Sequence, residues 1–146
     1  MVIQRWQSVW LLIALNLVGI FNFYPIAYIT EANAELAAED IVTKITTANN
    51  MALYVVSMLV VILLLIDILS FKNTRLQKRM TIISILLIAL IAVCAVLTVF
   101  GCQTAGAQIE WHGSLLLLLG AIIFAILGYR GIRHDEKLLK AADRLR

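Results

Sequence analysis

Four long apolar runs govern what this 146-residue chain can become: "WQSVWLLIALNLVGIFNFY" at 6–24, "MALYVVSMLVVILLLIDILSF" at 51–71, "MTIISILLIALIAVCAVLTVF" at 80–100 and "HGSLLLLLGAIIFAILGYR" at 112–130. Each matches the roughly 20 residues a helix needs to cross hydrocarbon. Lipid offers backbone groups no hydrogen bonds, so a single span must be helical. The alternation of apolar and polar residues that a membrane barrel would need is absent from all four runs. Composition agrees: 62% of residues are hydrophobic and 14% charged, against about 25% charged in a soluble domain. With one proline and seven glycines there is little material for linkers. The expected fold class is an all-α membrane protein, a single domain over residues 1–146 folded as an antiparallel bundle of four transmembrane helices.

Charge on the connections sets the expected orientation. Arg5 precedes the first run, Lys72, Arg75, Lys78 and Arg79 fill the short loop after the second, and Arg130, Arg133, Lys137, Lys140, Arg144 and Arg146 follow the fourth. The long loop at 25–50 carries Glu31, Glu35, Glu39 and Asp40 against Lys44, and the loop before the fourth run carries Glu110 without a cation. The positive-inside rule then puts both termini and the middle loop in the cytoplasm. Aromatic residues favour the headgroup level; Trp6, Phe71 and Tyr129 mark the inner boundary, and Tyr24, Tyr28, Tyr54 and Trp111 the outer one. Arg5, the first run and Ala-Asn-Ala at 32–34 imitate a signal peptide. However, Ala34 lies far past the apolar core and the run contains bulky Trp10, so an uncleaved first span is expected.

Small residues are expected at helix contacts, because lipid gives no hydrophobic drive between helices. Ser114, Ala121, Ala125 and Gly128 share one face of the fourth run, and Ala89, Ala92 and Ala95 one face of the third. Cys94 and Cys102 would stand roughly 12 Å apart along a helix, too far for a bridge. The outer loop is rich in Ala, Glu and Leu, which favours a short helix over about 31–45 capping the bundle. Asp67 is the one acid inside a run. It lies near the cytoplasmic boundary, where the negative end of the helix dipole disfavours an anion, so a cationic partner is expected, with Arg5 and Arg130 as candidates for an intramembrane ion pair. Asn16, Asn22, Ser57, Thr81 and Ser84 read as interhelical hydrogen-bonding groups. Cys102, Glu110 and His112 fit no zinc spacing and read as an ordinary loop. No nucleophile elbow, phosphate loop or metalloprotease pair occurs, so no catalytic, cofactor or metal residue is assigned and no enzyme is expected.

The tail at 131–146, "GIRHDEKLLKAADRLR", is more than a topology signal needs. If the fourth helix continues, 100° per residue places Arg130, Arg133, Lys137, Lys140 and Arg144 within an arc of about 80°. Leu138, Ala141 and Leu145 flank this stripe, and Asp135, Glu136 and Asp143 lie on the far side. Such an amphipathic basic helix can lie along anionic inner-leaflet lipids, bending at Gly131, or dock on a membrane-protein partner. Nucleic acid is not an expected partner.

Three segments, "IQRWQSVWLL" at 3–12, "FKNTRLQKR" at 71–79 and the closing "YRGIRHDEKLLKAADRLR", resemble the signature pieces of a family of small bacterial four-helix membrane proteins known as domain of unknown function 4293. The resemblance covers the whole chain in outline. Gly131 departs from it where a helix-former is expected, and His134 where a lysine is. It implies a location in the bacterial inner (cytoplasmic) membrane and supplies no activity. The functional expectation is a scaffold, accessory or assembly subunit that contacts partners through the tail or the outer loop. The alternative is a small oligomeric transporter or channel with Asp67 on its path.

Overall fold

The computed structural model describes residues 3–31, 41–70, 73–102 and 106–144, with side chains for all of these except 3–5, 41, 139 and 142–144. In chain order the elements are α1 (Ile3–Phe21), β1 (Ala27–Glu31), β2 (Ile41–Ile45), a 3₁₀ turn at Thr47–Asn49, α2 (Met51–Leu69), α3 (Thr74–Gly101), β3 (Gln108–Trp111) and α4 (Ser114–Arg144). The helices α2, α3 and α4 are each long and apolar enough to cross a membrane, and the apolar part of α1, Trp6–Phe21, is shorter. The first run extends in sequence to Tyr24, but the helix stops at Phe21. Pro25 pushes the residue before it out of helical geometry, and Asn22 closes the end by donating from Nδ2 to the Val18 carbonyl at 3.0 Å.

Contacts along the helices fix how they run. Gly120 faces Leu17, Gly128 faces Leu11 and Gly131 faces Gln7, so α1 and α4 are antiparallel. Asn50 bonds Thr98 and Asp67 bonds Thr81, so α2 and α3 are antiparallel too. One end of the bundle therefore holds the α2–α3 loop with the beginning of α1 and the end of α4. The opposite end holds the strands.

Buried residues repeat at alternating steps of four and three. In α1 they are Gln7, Leu11, Ala14, Val18 and Phe21, and in α2 they are Leu53, Ser57, Val60, Leu64 and Asp67. In α3 the series starts Gln77, Thr81, Ser84, Ile88, Ile91 and Ala95, and in α4 it is Ser114, Leu118, Ala121, Ala125, Gly128, Ile132 and Asp135. This spacing is the seam of coiled-coil-like packing, in which each helix presents one narrow stripe to the others. The remaining faces are just as apolar: Leu65, Leu86, Leu97, Leu116 and Ile123 are all exposed. A soluble protein rarely shows so much apolar exterior; a lipid solvent accounts for it. The small face expected on α4 is in the seam. The one expected on α3 is only partly there, since Ala95 is buried, Ala92 half-buried and Ala89 exposed.

The strands correct the all-α expectation. β1 lies between β2 and β3 in a three-stranded antiparallel sheet, with Ala27 opposite both Ile45 and Trp111. The helix expected over 31–45 gives way at 41–45 to β2, and residues 32–40 lie outside the described residues. The reason is local. Ala and Glu are concentrated between the two strands, while "AYIT" and "IVTKI" are β-branched or aromatic, suited to a pleated, half-buried surface. Ala27, Ile29 and Ile45 point inward and join Phe21, Ile26, Leu53 and Val99 in the core, so the sheet seals that end of the bundle. Aromatic contacts tie it down: the His112 ring meets Tyr24 at 6.0 Å and Tyr28 at 6.3 Å, and Trp111 meets Phe100 at 6.0 Å.

Close approach of α1 and α4 rests on glycine. A Cβ on Gly128 would lie 3.0 Å from two side-chain carbons of Leu11, whereas one on Gly19 would meet nothing within 4 Å. Gly128→Leu is therefore expected to wedge the pair apart and destabilise the fold by about 1–3 kcal/mol. Gly19→Leu should leave stability near that of the wild type. Thermal unfolding of the two variants in detergent, followed by tryptophan fluorescence, distinguishes them; equal losses would refute the packing argument.

Candidate functional site

At the loop end the seam turns polar. Gln7 of α1, Asp67 of α2, Gln77, Thr81 and Ser84 of α3 and Asp135 of α4 are all buried. Contacts between neighbouring helices put them in one layer. Gln7 touches Gly131 and donates from Nε2 to Asp135 Oδ2. Lys78 reaches Glu136 at 3.2 Å, so Thr81, three residues further into the bundle, lies level with about residue 133 of α4 at 1.5 Å of rise per residue. Thr81 Oγ1 donates to Asp67 Oδ2 at 2.6 Å.

The layer is short of protons. The Thr81 hydroxyl has one hydrogen and two acceptors in reach, Asp67 Oδ2 at 2.6 Å and the Gln77 carbonyl at 2.9 Å. Among the described residues, Asp67 Oδ1, Ser84 Oγ and Asp135 Oδ1 are buried and have no hydrogen-bond partner, where the rest of the seam has only Ser114 Oγ in that state. A buried polar atom without a partner costs about 1–3 kcal/mol, so three toward one end are a concentration.

The ion pair expected at Asp67 is not found in the form foreseen. Asp67 is bonded by Thr81, Arg130 is exposed, and no Asp67–Arg130 pair occurs among the described residues. The Arg5 side chain lies outside the described residues.

The residues of the basic stripe lie on one continuous helix, α4. Arg130, Arg133, Lys137 and Lys140 are exposed, and the Arg144 side chain lies outside the described residues. Behind them Ile132 and Asp135 are buried, and Glu136 accepts from Lys140 at 2.8 Å and Lys78 at 3.2 Å. The end of α4 is thus fastened on its inner face to α1 and α3. Gly131 is no hinge. The helix runs through it to Arg144, and a Cβ there would stand 2.7 Å from Gln7 Cγ, so the glycine serves the contact with α1. It replaces a helix-former because Gln7 occupies the space a side chain would need.

Other polar residues serve the sheet end or their own helices. Ser57 Oγ donates to Asn22 Oδ1, joining α2 to the turn after α1, and Asn50 Nδ2 donates to Thr98 Oγ1 at 3.0 Å. Asn16 is exposed and bonds only within its own helix, to the Leu12 carbonyl at 2.8 Å. His112 is held between Tyr24 and Tyr28, and His134 is exposed. Among the described residues no group of three or more His, Cys, Asp or Glu side chains is placed to hold a metal. Cys94 and Cys102 are both free thiols.

The model of a family described as a domain of unknown function (DUF4293) matches residues 3–145. The chain belongs to this family. Neither characterised proteins nor solved structures give a match. The three segments that carry the DUF4293 resemblance meet at the loop end: the first brings Gln7, the second Gln77 and Lys78, and the third Asp135 and Glu136. Asp135, Gln7 and Gln77 are the members of the layer that reading the sequence misses. The available signal was their place on the four-three repeat of buried positions.

A buried hydrogen bond and a half-buried ion pair with a second cation at hand should weigh differently here. Thr81→Val strips Asp67 of its donor and is expected to cost about 1–3 kcal/mol. Lys78→Ala removes a half-buried pair but leaves Glu136 paired to Lys140, and should cost under about 1 kcal/mol. Unfolding midpoints of the two variants in mixed micelles check this, and a larger loss from Lys78→Ala would contradict it.

Proposed function

We propose that this DUF4293 member is a four-span, non-enzymatic protein of the bacterial inner membrane with both termini in the cytoplasm. It serves as a scaffold, accessory or assembly subunit and receives a membrane-protein partner on the basic face of α4. The observation that carries the reading is the one-sided fastening of the helix end. Ile132 and Asp135 are buried and Glu136 is paired, while Arg130, Arg133 and Lys137 stand free of those contacts on the opposite side.

A helix held in this way makes an upright ridge. Lys137 and Lys140 stand about 10 and 15 Å beyond Arg130 along the axis, out of reach of the headgroups that Arg130 borders. Anionic inner-leaflet lipids therefore suit the base of the ridge, and an acidic protein surface suits its length. Rim charges of this kind steer encounter and set specificity more than they add affinity.

Truncation after Arg130 is a poor test, because it would take Ile132 and Asp135 out of the core. Arg133→Glu with Lys137→Glu leaves the inner face intact. Co-purification from native membranes should show specific partners of the wild-type chain lost from this double variant at unchanged membrane level. An identical partner set would sink the proposal.

Orientation has its own test. Cys102 is exposed at the sheet end, so a membrane-impermeant maleimide applied to intact spheroplasts should label it. Lys140→Cys in a Cys102→Ser background should react only after permeabilisation. The reverse pattern would overturn the topology.

A further inference from the structure

Asp67 sits in the last turn of α2, fully buried, with the negative end of the helix dipole around it. A carboxyl group in that position needs either a positive charge close by or a proton. The structure supplies a hydroxyl. Among the described residues no Lys, Arg or His is buried in the layer; Lys78 is turned to Glu136, and Arg75, Arg79 and Arg130 are exposed. The side chain that meets Asp67 is the Thr81 hydroxyl at 2.6 Å, and about one turn deeper on the same face of α3 stands the Ser84 hydroxyl, fully buried and without a partner among the described residues.

The geometry points to a binding site for a small monovalent alkali cation between α2 and α3, formed by Asp67, Thr81 and Ser84. Charge selects a monovalent ion, since one carboxylate balances one positive charge. Hardness selects an alkali ion over a transition metal, because the ligands are carboxylate and hydroxyl oxygens with no thiolate or imidazole. A proton answers only part of the site. On Oδ2 it would let Asp67 donate to Thr81 and free the Thr81 hydrogen for the Gln77 carbonyl, but Asp67 Oδ1 and Ser84 Oγ would stay without partners among the described residues. A cation bonded to two oxygens at about 2.4 Å each can join atoms too far apart to hydrogen-bond. Asp135, buried nearer the end of α4 with its Oδ1 also unpartnered, adds negative potential on the side from which an ion would enter. The proposal does not rest on a partner docking on the ridge.

The test uses the full chain in nanodiscs of zwitterionic lipid. Sodium chloride replaces choline chloride at constant ionic strength, and the readouts are the unfolding midpoint and retention of radioactive sodium. A saturable, sodium-dependent rise in the midpoint is expected, as binding to the folded state requires. Ser84→Ala should raise the half-saturating concentration by roughly 10-fold or more, and Asp67→Asn should abolish retention. The wild-type titration and the mild Ser84→Ala change keep the test decisive if Asp67→Asn fails to fold. Equal midpoints in sodium and choline would overturn the proposal and return Asp67 to a protein cation such as Arg5. So would a response to acid alone, stabilisation by magnesium in place of sodium, or a sodium effect unchanged in Ser84→Ala.

Discussion

The structure depends on where its polar side chains are allowed to go. With an apolar exterior on every helix, hydrophobicity cannot say which face turns inward; Leu65 and Leu64 are equally greasy, and one is exposed while the other is buried. Polar groups break the tie, because in lipid an unpaired polar group is penalised and a paired one holds two helices together. Gln7, Ser57, Asp67, Gln77, Thr81, Ser84, Ser114 and Asp135 all fall on the seam. They set its register, and small residues such as Ala14, Ala121, Ala125 and Gly128 let the backbones close on it.

The two ends of the bundle meet that constraint differently. At the sheet end, most bonds are made by short-range partners, though His112 Nδ1 and Ser114 Oγ find none among the described residues: Asn50 caps α2 and also reaches Thr98, Asn22 links to Ser57, and three strands share their backbone groups. At the loop end there is no sheet, and the polar residues come from four separate helices. Their oxygens outnumber their hydrogens, which is why the unpartnered atoms Asp67 Oδ1, Ser84 Oγ and Asp135 Oδ1 collect there.

Reading the sequence recovers what depends on composition over long stretches. Apolar length marks the helices, the run of Arg130, Arg133 and Lys137 marks a charged face, and Asp67 stands out as an acid inside a span. It fails where a short segment or a tertiary contact decides. β1 and β3 have five and four residues, and β3 has no partner until β1 of the other loop lies beside it, while helix propensity in the Ala- and Glu-rich stretch between β1 and β2 dominates the reading. Gly131 invites the idea of a hinge from its flexibility, yet its smallness is the property in use, and only the position of Gln7 reveals that. The seam itself is hidden because the lipid-facing residues carry no contrast with it. The polar interruptions spell it out once their spacing of four and three is taken together across all four helices.

α4 joins the two working surfaces. Its outer face carries Arg130, Arg133, Lys137 and Lys140, and its inner face, about 150° around the same helix, carries Gly128, Ile132 and Asp135 in the core. A continuous helix cannot tilt one face without moving the other. A partner that pulls on the ridge therefore shifts Asp135 against Gln7, and Glu136 against Lys78, at the mouth of the oxygen-rich layer. Conversely, an ion that draws Asp67, Thr81 and Ser84 together tightens α2 on α3, and α3 holds the end of α4 through that same lysine. Among the described residues, one ion pair and one buried hydrogen bond add to the apolar packing that links the two surfaces, both within two turns of Gly131. Coupling between layer and ridge follows from that shortness, since little soft structure lies between them to absorb the movement.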